Sequence, residues 1–161
     1  MVNSLKVFES VVRRARNYTE ARDHIDENRH PFDERNIHDR ISHVALHLFD
    51  NGHYSQATFE AYKFVDKTIQ TIASSSESGF KLMMSAFGGA SPLVSVTDNG
   101  TTTEKDEQKG YQFLFAGSIL AIRNPRGHEY ALSDSAEKCL DHLGLASMLL
   151  RRLEDAGYAL T

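Results

Sequence analysis

The residues best suited to chemistry lie in the segment AIRNPRGHEY, which covers residues 121–130. Arg123 carries a permanent positive charge, and His128, which follows after four intervening residues, titrates near neutral pH. Cleavage of RNA by its own 2′-hydroxyl needs a base for that hydroxyl, an acid for the leaving oxygen and positive charge on the phosphate. A histidine and an arginine can supply these functions without a metal ion. The segment is therefore a candidate site for metal-independent phosphate chemistry.

The residues between this pair predict how the chain would bring the two side chains together. Pro125 disfavours helical geometry at Asn124 and has no N–H to donate, so we expect the preceding helix to end there. Arg123 would then lie in the last helical turn. Gly127 permits a sharp turn, which would bring His128 back toward the face that Arg123 occupies.

A purely structural interpretation of the arginines is also open. Cations near a helix C-terminus stabilise the helix dipole, which is a sufficient reason for Arg123 and Arg126. A comparable spacing also occurs elsewhere, since Arg40 and His47 lie seven positions apart inside another helical segment. The spacing alone does not separate a catalytic site from a helix end.

The segments that must position this site have the apolar periodicity of helices. After residue 34, apolar residues recur at helical spacing in four segments. These segments are residues 35–50, residues 54–73, residues 107–123, and a stretch that begins after a cap at Ser133 or Asp134. Asn51 and Gly52 form a short stop between the first two, which predicts an antiparallel pair of helices. A further helix is expected near residues 5–15.

Residues 74–106 interrupt the helical pattern with a segment rich in serine, glycine and threonine. Val94 and Val96, followed by the turn sequence of residues 98–100, could form a small hairpin. A loop of this length is unusual inside a compact domain, so we expect it to be functional or mobile. The fold class predicted is all-α: an antiparallel bundle of four to five helices, with this loop before the motif helix.

Length and composition limit the possible functions. A chain of 161 residues with 40% hydrophobic content is long enough for one core, and we expect a helical domain over 35–161 preceded by a helical extension or linker over 1–34. The formal net charge of −4 gives no general basic surface, so any contact with nucleic acid must be local. No apolar run suits a membrane span and no signal peptide is visible, which predicts a cytoplasmic protein without a membrane partner.

Cysteine and histidine usage gives no sign of a disulfide or a metal. The single Cys139 cannot pair within the chain, and its helical context favours a small buried hydrophobic residue in a reducing compartment. His43 and His47 lie one helical turn apart, but no third ligand is evident from the sequence. We therefore expect neither a metal site nor a cofactor.

Three stretches resemble a known family. FDNGHYSQATFEAYKFVDKTIQ, FKLMMSAFG and KGYQFLFAGSILAIRNPRGHEY are similar, in this order, to the Ymh abortive-infection family of bacterial and phage-borne proteins. RNPRGH, followed by the tyrosine of HEY, resembles the Arg-x4–6-His ribonuclease motif of the HEPN superfamily. The resemblance covers roughly residues 35–155. It implies an all-α bundle, homodimerisation, metal-independent RNA cleavage and a role in phage defence or a toxin–antitoxin system.

The resemblance also implies roles for individual residues. Arg123 would bind and neutralise the scissile phosphate, His128 would transfer protons, and Asn124 would orient the phosphate or the histidine. Arg126 is a candidate contact to the RNA backbone, with a solvated turn residue as the alternative. Tyr130 occupies the position that a partner nucleotidyltransferase adenylylates in some HEPN toxins, with a half-buried loop tyrosine as the alternative. The partners implied are RNA, a second copy of the chain, and an antitoxin or nucleotidyltransferase.

Three functions remain open from the sequence: a HEPN endoribonuclease, a catalytically inactive HEPN module that dimerises and binds a nucleotide or a partner protein, and a helical interaction protein whose arginines only cap a helix. For the first, each chain offers one histidine in the motif, whereas the reaction uses a base and an acid. A two-fold dimer supplies both, because the same surface meets itself. We therefore expect the two RNPRGH segments to face each other in a homodimer.

Overall fold

The computed structural model describes residues 29–129 and 132–160, and within these ranges it is all-helical without a strand. The helices are α1 (Pro31–Glu34), α2 (Asp39–Asp50), α3 (Tyr54–Ile72), α4 (Gly79–Ala86), α5 (Thr102–Ser118), α6 (Asn124–His128) and α7 (Ala136–Asp155), and a π-helical turn (Ile119–Arg123) joins α5 to α6. In neither range does a helix combine the length and hydrophobicity that a membrane crossing would take. The all-α class is confirmed, while the helix predicted near residues 5–15 lies outside the described residues.

Helix α3 is the central element of the bundle and packs against α2, α4, α6 and α7. Ala57, Ala61, Val65 and Ile69 follow one another at intervals of four and are all fully buried, so they form the core face of this helix. The predicted antiparallel pair is confirmed, because α2 ends at Asp50, with Asn51 as its C-cap, and the chain reverses into α3 within three residues. Helix α3 also contacts α6, which carries most of the RNPRGH segment.

The segment 74–106 is more ordered than predicted. Helix α4 lies within it, and α5 begins at Thr102 instead of residue 107. The start of α5 is fixed by a capping box, in which the Thr101 hydroxyl accepts from the Glu104 N–H and the Glu104 carboxylate accepts from the Thr101 N–H. Eight residues are too few for helix α4 to give a clear periodic signal next to serine and glycine.

The suggested hairpin is wrong, because residues 87–101 contain no strand and a buried glutamine holds this loop instead. The Val94 N–H donates to the Ala86 carbonyl at 2.9 Å, and the Val96 N–H donates to Gln108 Oε1 at 2.7 Å. The Gln108 amide donates in turn to the Phe87 and Val94 carbonyls, both at 2.9 Å. One side chain of α5 therefore satisfies backbone groups that a hairpin would pair across its two strands.

Helix α7 begins one to two residues later than predicted, with Ser135 as its cap. The Ser135 hydroxyl accepts from the Lys138 N–H at 3.2 Å, whereas Asp134 turns inward. Cys139 in the first turn is fully buried, as expected, and the Thr58 hydroxyl donates to its sulfur at 3.4 Å. Burial raises the pKa of the Cys139 thiol, which keeps it protonated and unreactive at neutral pH.

Candidate active site

The motif helix does not end at Asn124, and this prediction from the sequence is wrong. Helix α5 continues through the π turn, in which the Asn124 N–H donates to the carbonyl of Ile119, five residues back. Pro125 then stands in the first turn of α6, where a missing N–H and a fixed φ are tolerated. Turns of this kind inside α-helices are frequent at functional sites.

The sharp turn predicted at Gly127 is also wrong, because α6 continues to His128 and the Glu129 N–H still donates to the Pro125 carbonyl at 2.9 Å. The glycine meets a different need. A Cβ atom at residue 127 would lie 3.0 Å from Cε2 of Phe59, which belongs to α3. Gly127 therefore permits α6 to approach the Phe59 ring closely.

Arg123 lies half-buried at the end of the π turn, on the same ring. Its Cζ atom is 5.6 Å from the centroid of Phe59, within the range of a cation–π contact. Nη1 donates to Oδ1 of Asn124 at 3.2 Å, which makes Asn124 a partner of the arginine. Nε is buried and has no hydrogen-bond partner among the described residues. Arg123 thus carries a positive charge whose donors this part of the chain leaves largely unused.

His128 is the last residue of α6 and its side chain is exposed. No hydrogen bond joins it to another residue in the ranges 29–129 and 132–160. A helix turns by about 100° per residue, so five positions place Arg123 and His128 roughly 140° apart around the axis. The bend expected to bring the two side chains together is absent, and within one chain they point to different sides of α6.

Arg126 forms a buried ion pair with Asp134. Its Nε and Nη2 atoms lie 2.6 and 2.7 Å from the two carboxylate oxygens, and the side chains are 3% and 0% exposed. The third nitrogen, Nη1, donates to the Ile122 carbonyl at 2.6 Å. Asp134 also accepts from Lys138 at 3.1 Å, and its own N–H donates to the Ser55 hydroxyl at 2.9 Å. The pair fastens α6 to the start of α7 and to α3.

This pair argues against both roles considered for Arg126. The residue is not solvated, and its guanidinium already binds a carboxylate in the bidentate geometry that a phosphate would need. His142 Nδ1 lies 3.3 Å from Nη2, and burial, followed by the charge of Arg126, lowers the pKa of His142 and keeps it neutral. The sequence marked Asp134 only as a candidate helix cap and His142 not at all, because their spacing from Arg126 matches no known pattern.

The ion pair predicts a loss of stability in acid. Burial alone raises the pKa of Asp134, but hydrogen bonds and charge from Arg126 and Lys138 outweigh it, so the pKa lies below its usual value. Such a carboxyl contributes its full stability above its unfolded pKa of about 3.9, and the contribution falls as pH drops through the lower folded pKa. The stability advantage of the natural chain over Asp134→Asn should therefore shrink below about pH 4 in urea unfolding. An advantage that stays constant from pH 7 to pH 3 would contradict this.

A polar cleft of about 340 Å³ opens beside α6, between the start of α3 and residues 132–134. His53 and Glu129 line it, together with the buried Arg126. Arg123 and His128 do not line this cleft. A pocket around the two motif residues would have to be completed by another surface.

Two further predictions concern Tyr130 and metal ligands. Tyr130 lies outside the described residues, so its modification stays a prediction. Over residues 29–129 and 132–160, no group of three or more histidine, cysteine or acidic side chains comes together around a common point. His43 is exposed, and His47 contacts Asn51 at the end of α2.

The chain matches the model of a known protein family. The model of a family described as "Protein of unknown function (Hypoth_ymh)" matches residues 35–153, a range that includes every helix from α2 to α6 and most of α7. No curated protein and no solved structure matches the chain.

Proposed function

Because the match over residues 35–153 covers most of its 161 residues, the chain belongs to the Hypoth_ymh family, and on this premise we propose that it is a metal-independent endoribonuclease of the HEPN type. We place it in an abortive-infection or toxin–antitoxin system, as the resemblance of its motif implies. The observation that carries the proposal is that an arginine with unused donors and an exposed histidine flank the short helix α6, five positions apart.

The proposed reaction is the attack of a 2′-hydroxyl on the adjacent phosphorus. The 2′-oxygen forms a bond to phosphorus and the bond to the 5′-oxygen breaks, which leaves a 2′,3′-cyclic phosphate and a 5′-hydroxyl. Arg123 neutralises the charge that develops on the phosphate oxygens. One His128 accepts the proton of the 2′-hydroxyl, and a second histidine donates a proton to the 5′-oxygen. Asn124 holds Nη1 of the arginine and so orients the cation.

A second copy of the chain can supply that second histidine through the outer face of α5 and of the π turn that follows it. Large apolar side chains are exposed there: Phe113 is 54%, Leu114 is 45% and Leu120 is 48% accessible. Gly110 and Gly117 lie on the same face, at a spacing of seven residues. We call these five residues the α5 stripe. Exposed apolar side chains that share one helix face mark a contact surface.

The glycines of the stripe favour another helix as the occupant. A glycine inside a helix costs about 1 kcal/mol relative to alanine. Neither Gly110 nor Gly117 has a positive φ, and a Cβ at either position would meet nothing within 4 Å in the described chain. A helix that approaches closely would explain both. Since the stripe ends in the π turn, directly before the motif, pairing it with its own copy brings two motifs into proximity.

Charge on the stripe should therefore separate the copies and stop cleavage. We expect Phe113→Glu combined with Leu120→Glu to give a monomer that cleaves RNA at least tenfold more slowly, because two copies would place four carboxylates in one apolar contact. Sedimentation velocity and a cleavage assay measure the two effects. Leu93→Glu, at a residue 60% exposed outside the stripe, is the matched control. A fully active natural monomer at micromolar concentration would exclude the composite site.

The stripe would serve equally well in a catalytically inactive HEPN module that dimerises and binds a nucleotide or a partner protein. The two functions differ in RNA turnover. Expression of the ribonuclease should arrest growth, and His128→Ala should abolish the arrest, whereas an inactive module would show no dependence on His128. A co-expressed antitoxin or nucleotidyltransferase, the latter acting on Tyr130, would relieve the arrest of the ribonuclease.

A further inference from the structure

One aromatic ring of α3 contacts two residues of the RNPRGH motif. The Phe59 ring has Gly127 at one edge, where a Cβ atom would come within 3.0 Å, and Arg123 over it at 5.6 Å from the centroid. Arg123, at the end of the π turn, and Gly127, in α6, are four residues apart. They therefore lie on the same side of this continuous helical segment, the side that packs on α3. The ring lies between the central helix of the bundle and the proposed phosphate-binding arginine.

Two contacts orient the guanidinium of Arg123. The ring offers its face to the cation, and Asn124 Oδ1 accepts from Nη1. Among the described residues, neither Nε nor Nη2 has a hydrogen-bond partner. An arginine oriented in this way loses less freedom when it binds an anion, and Nη2, which is without a partner in this part of the chain, suits an oxygen of a phosphate.

We propose that Phe59 is a positioning residue for Arg123, and this inference rests on the proposed function. The aromatic face sets the plane of the guanidinium. The contact at Gly127 sets how closely the motif helix approaches α3, and hence where the cation lies. The RNA phosphate then meets an arginine that is already oriented.

Removal of the aromatic face is the direct test. We expect Phe59→Leu to lower kcat for cleavage of a labelled RNA about tenfold with a smaller change in KM, whereas Phe59→Tyr keeps near-natural kcat. Binding of a fully 2′-O-methylated RNA of the same sequence, which cannot be cleaved, should weaken severalfold in Phe59→Leu by fluorescence anisotropy. Phe64→Leu is the matched control, because Phe64 is also half-buried in α3 but packs on the core.

A double-mutant cycle separates positioning from general packing. If Phe59 acts through Arg123, Phe59→Leu should weaken binding no further in an Arg123→Ala chain. An equal loss in both chains, or a Phe59→Leu variant with natural binding and cleavage, would overturn the positioning role. If Arg123→Ala still lowers binding and cleavage in that case, the proposed function stands without the inference. A natural chain that neither binds nor cleaves RNA would overturn both.

Discussion

Replacement of His128 by alanine should slow RNA cleavage by roughly 10²- to 10⁴-fold, the contribution typical of a general acid or base. Arg123→Ala should cause a loss of similar size, because the charge on the phosphate would be left without its stabilising cation. Neither change should unfold the protein, since His128 is exposed and Arg123 lies outside the buried core. Cleavage of a labelled RNA and thermal melting by circular dichroism measure the two effects. EDTA should leave cleavage unchanged.

His53→Ala is a suitable control, because His53 is also exposed and its side chain makes no capping hydrogen bond at the start of α3. The metal-free mechanism would be wrong if EDTA stopped cleavage, or if His128→Ala kept near-natural turnover. Mixing the two inactive chains tests where each residue acts. If Arg123 of one copy works with His128 of the other, a heterodimer of Arg123→Ala and His128→Ala regains one such pair and partial activity, because only one of the two His128 side chains is present. If both residues act within one chain, the heterodimer stays inactive.

Arg126→Ala should lower the free energy of unfolding by about 3–5 kcal/mol, because it leaves the buried Asp134 carboxylate without its bidentate partner and with only the exposed Lys138 to balance its charge. Urea unfolding at pH 7 measures this change. A joint replacement, Arg126→Met with Asp134→Leu, should recover much of the loss, since two apolar side chains leave no buried charge.

The exposed pair between Arg35 and Asp141 provides the comparison for that result. Its atoms are 2.8 Å apart, within 0.2 Å of those of the buried pair at 2.6 and 2.7 Å, but the side chains are 50% and 67% exposed. Arg35→Ala should therefore cost less than about 1 kcal/mol. Equal losses for Arg35→Ala and Arg126→Ala would show that burial does not set the energy of the Arg126 pair.

The sequence predicted the long helices because their core residues recur with a clear period. Helices α2 and α3 are examples. Gly52, with φ at 76°, lies in the tight turn between them, as expected. The π turn could not be predicted, because local preferences at Pro125 favour a helix end. The buried side chains of Ile119 and Ile122 draw this turn into the core, and packing then outweighs the local preference.

The candidate site, like the fold, could be predicted from the sequence only in part. Arg123 and His128 stand out through their types and spacing, which depend on neighbouring positions only. Phe59 lies more than sixty residues earlier, and only the packing of α3 against α6 brings it to the motif. Arg126 has the residue type of a phosphate ligand, yet in the fold it forms an ion pair with Asp134. No spacing rule identifies that partner.

The π turn sets the direction in which the motif side chains point. A π turn holds one residue more than an α turn, and each residue of a helix turns the chain by about 100°. If the turn became regular α-helix with all of its residues kept, everything beyond it would rotate by about that angle relative to the α5 stripe. Such a chain would keep Arg123, Asn124 and His128 in an unchanged motif, but these side chains would face a different direction from the proposed two-fold axis. The direction of the motif side chains therefore depends on the π turn that precedes them as well as on the spacing within RNPRGH.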